Sequence, residues 1–220
     1  RGGGGGRAGE GAVGGDVGKF RAEGADSGRA RLQDLGAGAR REGALERAGI
    51  RGMANQVTRA DNLRADWRGL AALVGKEAGA ERMIAHFDAE VEKYRREAES
   101  LPRRPGVFLE AIHREVKTFT PESIPYWLVE AAGGRNAAAD ARPASPGVII
   151  ADFGPERLLD RADGIDVFVS QSGAMNRVDA GTLVNRNIYQ PLRAFRQGRV
   201  HRISEAVLAR PTPSLLDGLE

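Results

Sequence analysis

The residues able to do chemistry are few and scattered. There is no cysteine, which excludes disulfides, thiolate metal sites and a cysteine nucleophile. Histidine occurs three times, as His86, His113 and His201, too sparsely for a histidine-rich metal centre. His113 and Glu115 would offer a metal two ligands at close spacing, a weak signal by itself. Ser172-Gly173 lacks the leading glycine of a nucleophile elbow, and the Asp and Glu pairs fall mainly at helix-surface spacings. Gly9-Glu10-Gly11-Ala12-Val13-Gly14 has the form GxGxxG, but no predicted strand precedes it and no βαβ unit surrounds it. Gly18-Lys19 lacks the flanking residues of a phosphate loop. No catalytic constellation emerges, so these residues give little support for an enzyme or for a resident cofactor.

Any binding residues must be positioned by the elements around them. Ala80, Ile84, Phe87, Val91, Tyr94, Ala98 and Leu101 recur at steps of four and three, which predicts one helix from about Glu77 to Ser100 with an apolar stripe. A first helix, capped by Asp61, carries Leu63, Trp67, Leu70, Leu73 and Val74 and ends or bends at Gly75. The longer helix would span roughly 36 Å, enough to join two lobes or to lie along one. From Val107 onward, strand and helix patterns alternate. Strands are predicted at Val107–Leu109, Val148–Ile150, Asp166–Val169 and Val200–Ile203. Helices are predicted from Ser123 to Gly133, from Pro155 to Leu159, from Tyr189 to Arg196 and from Pro213 onward. This order implies an α/β fold with a small, mainly parallel sheet covered on both faces. Ligands in such sheets sit at the carboxyl ends of strands, which points to the loops Glu110–Thr120 and Ser170–Gly181.

The first fifty residues differ from the rest. They hold 16 of the 30 glycines, and 33 of them are Gly, Ala or Arg. Such a segment cannot bury enough apolar surface to offset its ordering entropy, so residues 1–52 read as disordered or translated out of frame, with at most a weak helix over residues 30–47. An RNA-binding arm of RGG type would need a sustained repeat and more aromatics than Phe20. The net charge is only +3 in 220 residues, so no polyanion-binding face is indicated and no nucleic-acid partner is expected. No run approaches a membrane-spanning helix and no export signal is present. The chain opens on Arg1, so the sequence does not fix its true start.

The segments LVGKEAGAERMIAHFDAEVEKY, VFLE, EAAGGRNAAADA, GPERLL, DGIDVFVSQ, PLRAFRQGRVHRI and PTPSLL, in this order, resemble the substrate-binding proteins of ABC importers for ferric siderophores, cobalamin and haem. The resemblance covers roughly residues 53–220. It implies linking helices over residues 53–101 and a Rossmann-like C-terminal lobe over 102–220, with the ligand clamped between two lobes. No strands are available in residues 1–50 to build the first lobe, so a fragment is expected. The implied function is capture of an iron chelate, corrinoid or haem and delivery to a membrane permease. The implied location is periplasmic, or extracytoplasmic as a lipoprotein. A cytoplasmic α/β enzyme acting on a tetrapyrrole or metal complex, with His113 as acid or base, and an inactive fragment are the alternatives.

The resemblance also implies site residues. His113, Arg114, Lys117 and Phe119 belong to a loop that faces the cleft, joined by Tyr126 or Trp127, and by Gln171, Met175, Asn176 and Arg177 from the second loop. Cationic groups would neutralise chelate oxygens and aromatic faces would stack on rings. Taken singly, Arg114 and Lys117 also read as solvated charges, and Phe119 and Trp127 as core. His113 is the strongest candidate, because His86 falls on the charged helix face and His201 reads as a structural histidine. Glu156 in GPERLL takes the place of a glutamate that pairs with permease arginines. Its ordinary alternative is a charge complementing a helix N-terminus behind Pro155.

Overall fold

The structure, a computed structural model, describes Arg47 and residues 59–143, 148–174 and 176–220. The chain divides into Arg1–Ala54 and Asn55–Glu220, and the elements of the fold belong to the second unit. The readings made for residues 1–46 and for Met175 lie outside the described residues.

Two helices lead into the sheet. The first, α1 (Ala60–Val74), begins behind Arg59 rather than on an Asp61 cap; Asp61 sits in its first turn. It ends where Gly75 takes the left-handed conformation (φ 65°) and donates its N–H to the Ala71 carbonyl. The second, α2 (Glu77–Glu99), buries Ala80, Ile84, Phe87 and Val91, the first four positions of the predicted stripe. Tyr94 and Ala98 are only half-buried, and Leu101, Leu70, Leu73 and Val74 are exposed, so the apolar pattern runs further than the packing that uses it. Phe87 meets the Trp67 ring edge-on at 5.0 Å and stacks on Trp127 at 6.2 Å, which fastens both helices to the lobe.

The sheet contains β1 (Gly106–Ile112), β2 (Lys117–Phe119), β3 (Arg135–Asn136), β4 (Ile150–Asp152), β5 (Val167–Ser172) and β6 (Val200–Ser204). Its order is β4-β2-β1-β5-β6, with β3 added beside the start of β1. β1 pairs in parallel with β3 and β5, and β5 with β6, while β2 runs antiparallel to both β1 and β4. β1 is buried from Gly106 to Ala111, so it is covered on both faces. Between the strands lie α3 (Ile124–Ala131), α4 (Pro155–Leu159), α5 (Ala180–Val184), α6 (Arg193–Arg196) and α7 (Glu205–Leu208), with 3-10 turns at Ala162–Gly164, Asn187–Tyr189 and Pro213–Leu215. A row of rings, Phe153, Phe108, Phe168, Tyr189 and Phe195, ties β1 and β5 to the segments after β4 and β5.

The mixed sheet departs from the alternating pattern in one place that matters. The segment read as a loop after Leu109 is instead the end of β1, a turn over residues 113–116 and the return strand β2. The turn is closed by Val116, a buried β-branched residue at φ 52°, a conformation rarely adopted by its type. No glycine or asparagine marks it, which is why the sequence pattern passes over it. The predicted helix from Tyr189 to Arg196 is likewise two short turns, and the one from Pro213 is a single 3-10 turn.

Candidate functional site

β1, β5 and β6 run parallel, so Ile112, Ser172 and Ser204 end at one edge of the sheet. The turn 113–116 and the segment 173–179 leave from that edge, as expected for a ligand-facing rim. Beneath it lies a buried polar cluster whose central group is Glu110, fully buried in β1. Ser170, its register partner on β5, donates its hydroxyl to Glu110 Oε2 at 2.6 Å. Tyr189 donates its hydroxyl to Glu110 Oε1. His113 Nδ1 lies 3.2 Å from each carboxylate oxygen. A carboxylate only accepts, so the imidazole carries its proton on Nδ1.

Two further side chains lock the cluster. Asn176 Oδ1 accepts the His113 backbone N–H at 2.9 Å, and its Nδ2 donates to the Gln171 carbonyl at 2.6 Å. Arg186 donates to Tyr189 Oη at 2.9 Å, to the His113 carbonyl and to the Arg114 carbonyl at 3.3 Å. Burial, reinforced by the charge of Glu110, pushes the Tyr189 phenol far above its ordinary range, so it remains a donor.

The predicted site residues divide by environment. His113 is buried, with 11% of its side chain open, and Gln171 is buried with Oε1 lacking a hydrogen-bond partner. Arg114 and Arg177 are exposed, and neither guanidinium forms an ion pair or hydrogen bond among the described residues. Lys117 bonds Glu115 at 2.7 Å and Asp152 at 3.2 Å, and the first of these contacts leads in raising its pKa. Phe119 and Tyr126 are wholly within the core. The Tyr126 hydroxyl meets Thr118 Oγ1 at 2.9 Å, and burial pushes it up to about 12. Trp127 packs on Phe87 on the helical side, apart from the rim residues. Glu156 is exposed in the first turn of α4 behind Pro155. His201 is exposed on β6, not enclosed as its place in a strand suggested. Among the described residues no group of three His, Asp or Glu side chains could hold a metal ion, and no helix is long and apolar enough to cross a membrane.

Sequence reasoning passed over Glu110, Ser170, Arg186 and Tyr189. The one available signal was a lone carboxylate inside the apolar run VFLEAI. Arg186 and Tyr189 lie more than seventy residues further along and carry no local mark.

Neither a family profile nor a curated protein matches the sequence. Solved structures do match. A possible iron-binding, periplasmic solute-binding protein from Staphylococcus epidermidis aligns at 15% identity and TM-score 0.67, over 85% of this chain and 70% of its own. The periplasmic vitamin B12 binding protein BtuF of Vibrio cholerae aligns at 18% and 0.63, over 84% and 68%. The periplasmic heme-binding protein RhuT from Roseiflexus aligns at 23% and 0.60, over 71% and 58%. At such identities the likeness is one of fold, shared with these solute-binding proteins over 58–70% of their length.

Proposed function

We propose that this chain is the solute-binding component of an ABC importer, capturing an iron chelate, a corrinoid or haem outside the cytoplasm and passing it to a membrane permease. The observation that carries this reading is the rim at the carboxyl edge of the sheet. There, open arginines, Arg114 and Arg177, flank His113, which is held by Glu110 and Asn176. Fixed groups beneath and free cations above suit recognition of an anionic, ring-bearing solute better than bond-making, because the Ser170 hydroxyl set on Glu110 is fully buried. The architecture shared with solute-binding proteins points the same way. Glu156, exposed on α4, is the contact offered to permease arginines.

The test is retention of coloured ligands by the purified chain in equilibrium dialysis against a ferric hydroxamate, cyanocobalamin and ferric haem. Micromolar or tighter retention of at least one supports the reading, and retention of none defeats it. Tryptophan emission is the weaker readout, because Trp67 and Trp127 both pack on Phe87, on the helical side of the lobe.

A further inference from the structure

A groove of about 380 Å³ opens where α1 and α2 meet the segment leading into the last 3-10 turn, and none of its lining residues belongs to the rim at the carboxyl edge of the sheet. We propose that it is a second binding site, for a single alkyl chain ending in a carboxylate, that is, a free fatty acid of medium chain length. The inference does not rest on the importer reading.

The walls are apolar and tied together. α1 supplies Trp67, Leu70 and Ala71, and α2 supplies Ala80 and Met83. Residues 211–213 form the third wall, which Trp67 Nε1 fastens to α1 by donating to the Pro211 carbonyl at 2.8 Å. That bond satisfies the one polar atom of the indole, so the ring offers the groove only carbon. Leu70 is exposed, as are Leu73 and Val74 further along the same helix. Met83 is half-buried, and its unbranched thioether chain adapts to the shape of an apolar guest. The volume falls within the range of small-molecule sites, roughly 300–1,000 Å³.

Two further observations select the occupant. Gly79, in the first turn of α2, faces open space, for a Cβ built there meets nothing within 4 Å. Its backbone is helical, so neither packing nor conformation calls for a glycine, which weakens a helix relative to alanine. What its missing side chain provides is room in the groove. Lys76 is the only charged residue of the lining, and its ammonium is exposed and forms no ion pair among the described residues. Arg68 and Glu81 bond each other at 2.6 Å, and Glu77 beside Lys76 lies outside the lining, so Lys76 is the charge left for a ligand. One cation on an apolar trough matches one anion on an apolar chain. A sugar or nucleotide would leave its polar groups unpaired against carbon.

The test titrates the 220-residue chain with decanoate below its micelle concentration, by calorimetry and, in Trp127→Phe, by the emission of Trp67, then the remaining tryptophan. Decanoate should bind at one site, and shorter carboxylates should bind about three- to fourfold more weakly for each methylene removed. Decyltrimethylammonium should bind about three- to fivefold more weakly than decanoate, and Lys76→Glu should reverse that order. Gly79→Phe, whose new ring enters open space, should keep the far-ultraviolet spectrum and lose decanoate binding. The chain-length and head-group series need no variant, so a misfolded substitution does not decide the matter. No decanoate binding, equal affinity for the two head groups, or undiminished binding by folded Gly79→Phe overturns the proposal. Association with phosphatidylglycerol vesicles without uptake of monomeric decanoate assigns the groove to a membrane surface and overturns it. So does a dimer in sedimentation that Leu70→Asp splits, again without decanoate binding, which assigns the groove to a second copy. None of these arms uses a solute of the rim, so their failure is distinct from failure of the importer reading in dialysis.

Discussion

His113 Nδ1 lies 3.2 Å from both oxygens of the Glu110 carboxylate, which stands three residues back in β1. In a regular strand, residues three apart face opposite sides of the sheet. His113, however, lies just past the end of β1, in the turn 113–116, where that alternation no longer holds, and the β1–β2 register already shifts between Glu110 and Ile112. Its contacts to Glu110 and Asn176 make a turn histidine a fixed one.

The same carboxylate depends on Tyr189, whose hydroxyl bridges Glu110 and Arg186. Replacing it by phenylalanine keeps the ring packed against Phe168 but removes a donor from a buried carboxylate. Tyr189→Phe should cost about 2 kcal/mol in urea unfolding. A loss well below 1 kcal/mol would mean that the cluster relaxes around the gap.

Asp166 opens the opposite edge of the sheet. Its buried carboxylate accepts two bonds of 2.8 Å from Arg103, the Gly106 N–H at 2.8 Å and Arg193 at 3.1 Å. Arg103 contributes most to holding its carboxyl well below the ordinary range. A depressed carboxyl stabilises fully above its unfolded pKa, about 4, and the contribution is lost as pH falls through the folded value. Asp166→Asn should therefore cost about 3 kcal/mol near neutral pH. The gap from the parent chain should narrow on acidification below about pH 4. A gap independent of pH would show that packing, not charge, is what the substitution removes.

Two glycines give opposite expectations. A Cβ on Gly106 would lie 2.0 Å from the Gly164 carbonyl oxygen, a backbone atom with no room to yield. Gly106→Ala should destabilise by about 3 kcal/mol. Gly79, inside α2, has nothing within 4 Å of the same position, and Gly79→Ala should stabilise by about 0.5–1 kcal/mol. Thermal melts of the two variants should move in opposite directions.

Glu156 is exposed in the first turn of a five-residue helix, where its folding contribution is small. Glu156→Lys should change stability by less than about 1 kcal/mol and leave ligand retention unaltered. Transport measured with the cognate permease in vesicles should fall, and undiminished transport would remove Glu156 from the docking surface.

Periodicity alone determined the two helices, the break at Gly75, the short helix behind Pro155 and the strands centred on Phe108, Phe168 and His201. Each is a local pattern in which apolar spacing, a glycine with φ above zero or a proline at a helix start carries the signal. The order of these segments also carried the resemblance to solute-binding proteins. The tertiary structure decided the rest. Nothing local marks the return strand Lys117–Phe119, because its turn is closed by a strained valine held in place by burial, not by a turn-forming residue. Nor could spacing show that Phe119 and Tyr126 face the core while Arg114 and Arg177 stay free, since aromatic and cationic types are compatible with either place. Above all, the Glu110 cluster joins residues from β1, β5 and the Arg186–Tyr189 turn. Such a contact exists only once the parallel strands set their register, so it is a property of the fold and not of any stretch of the chain.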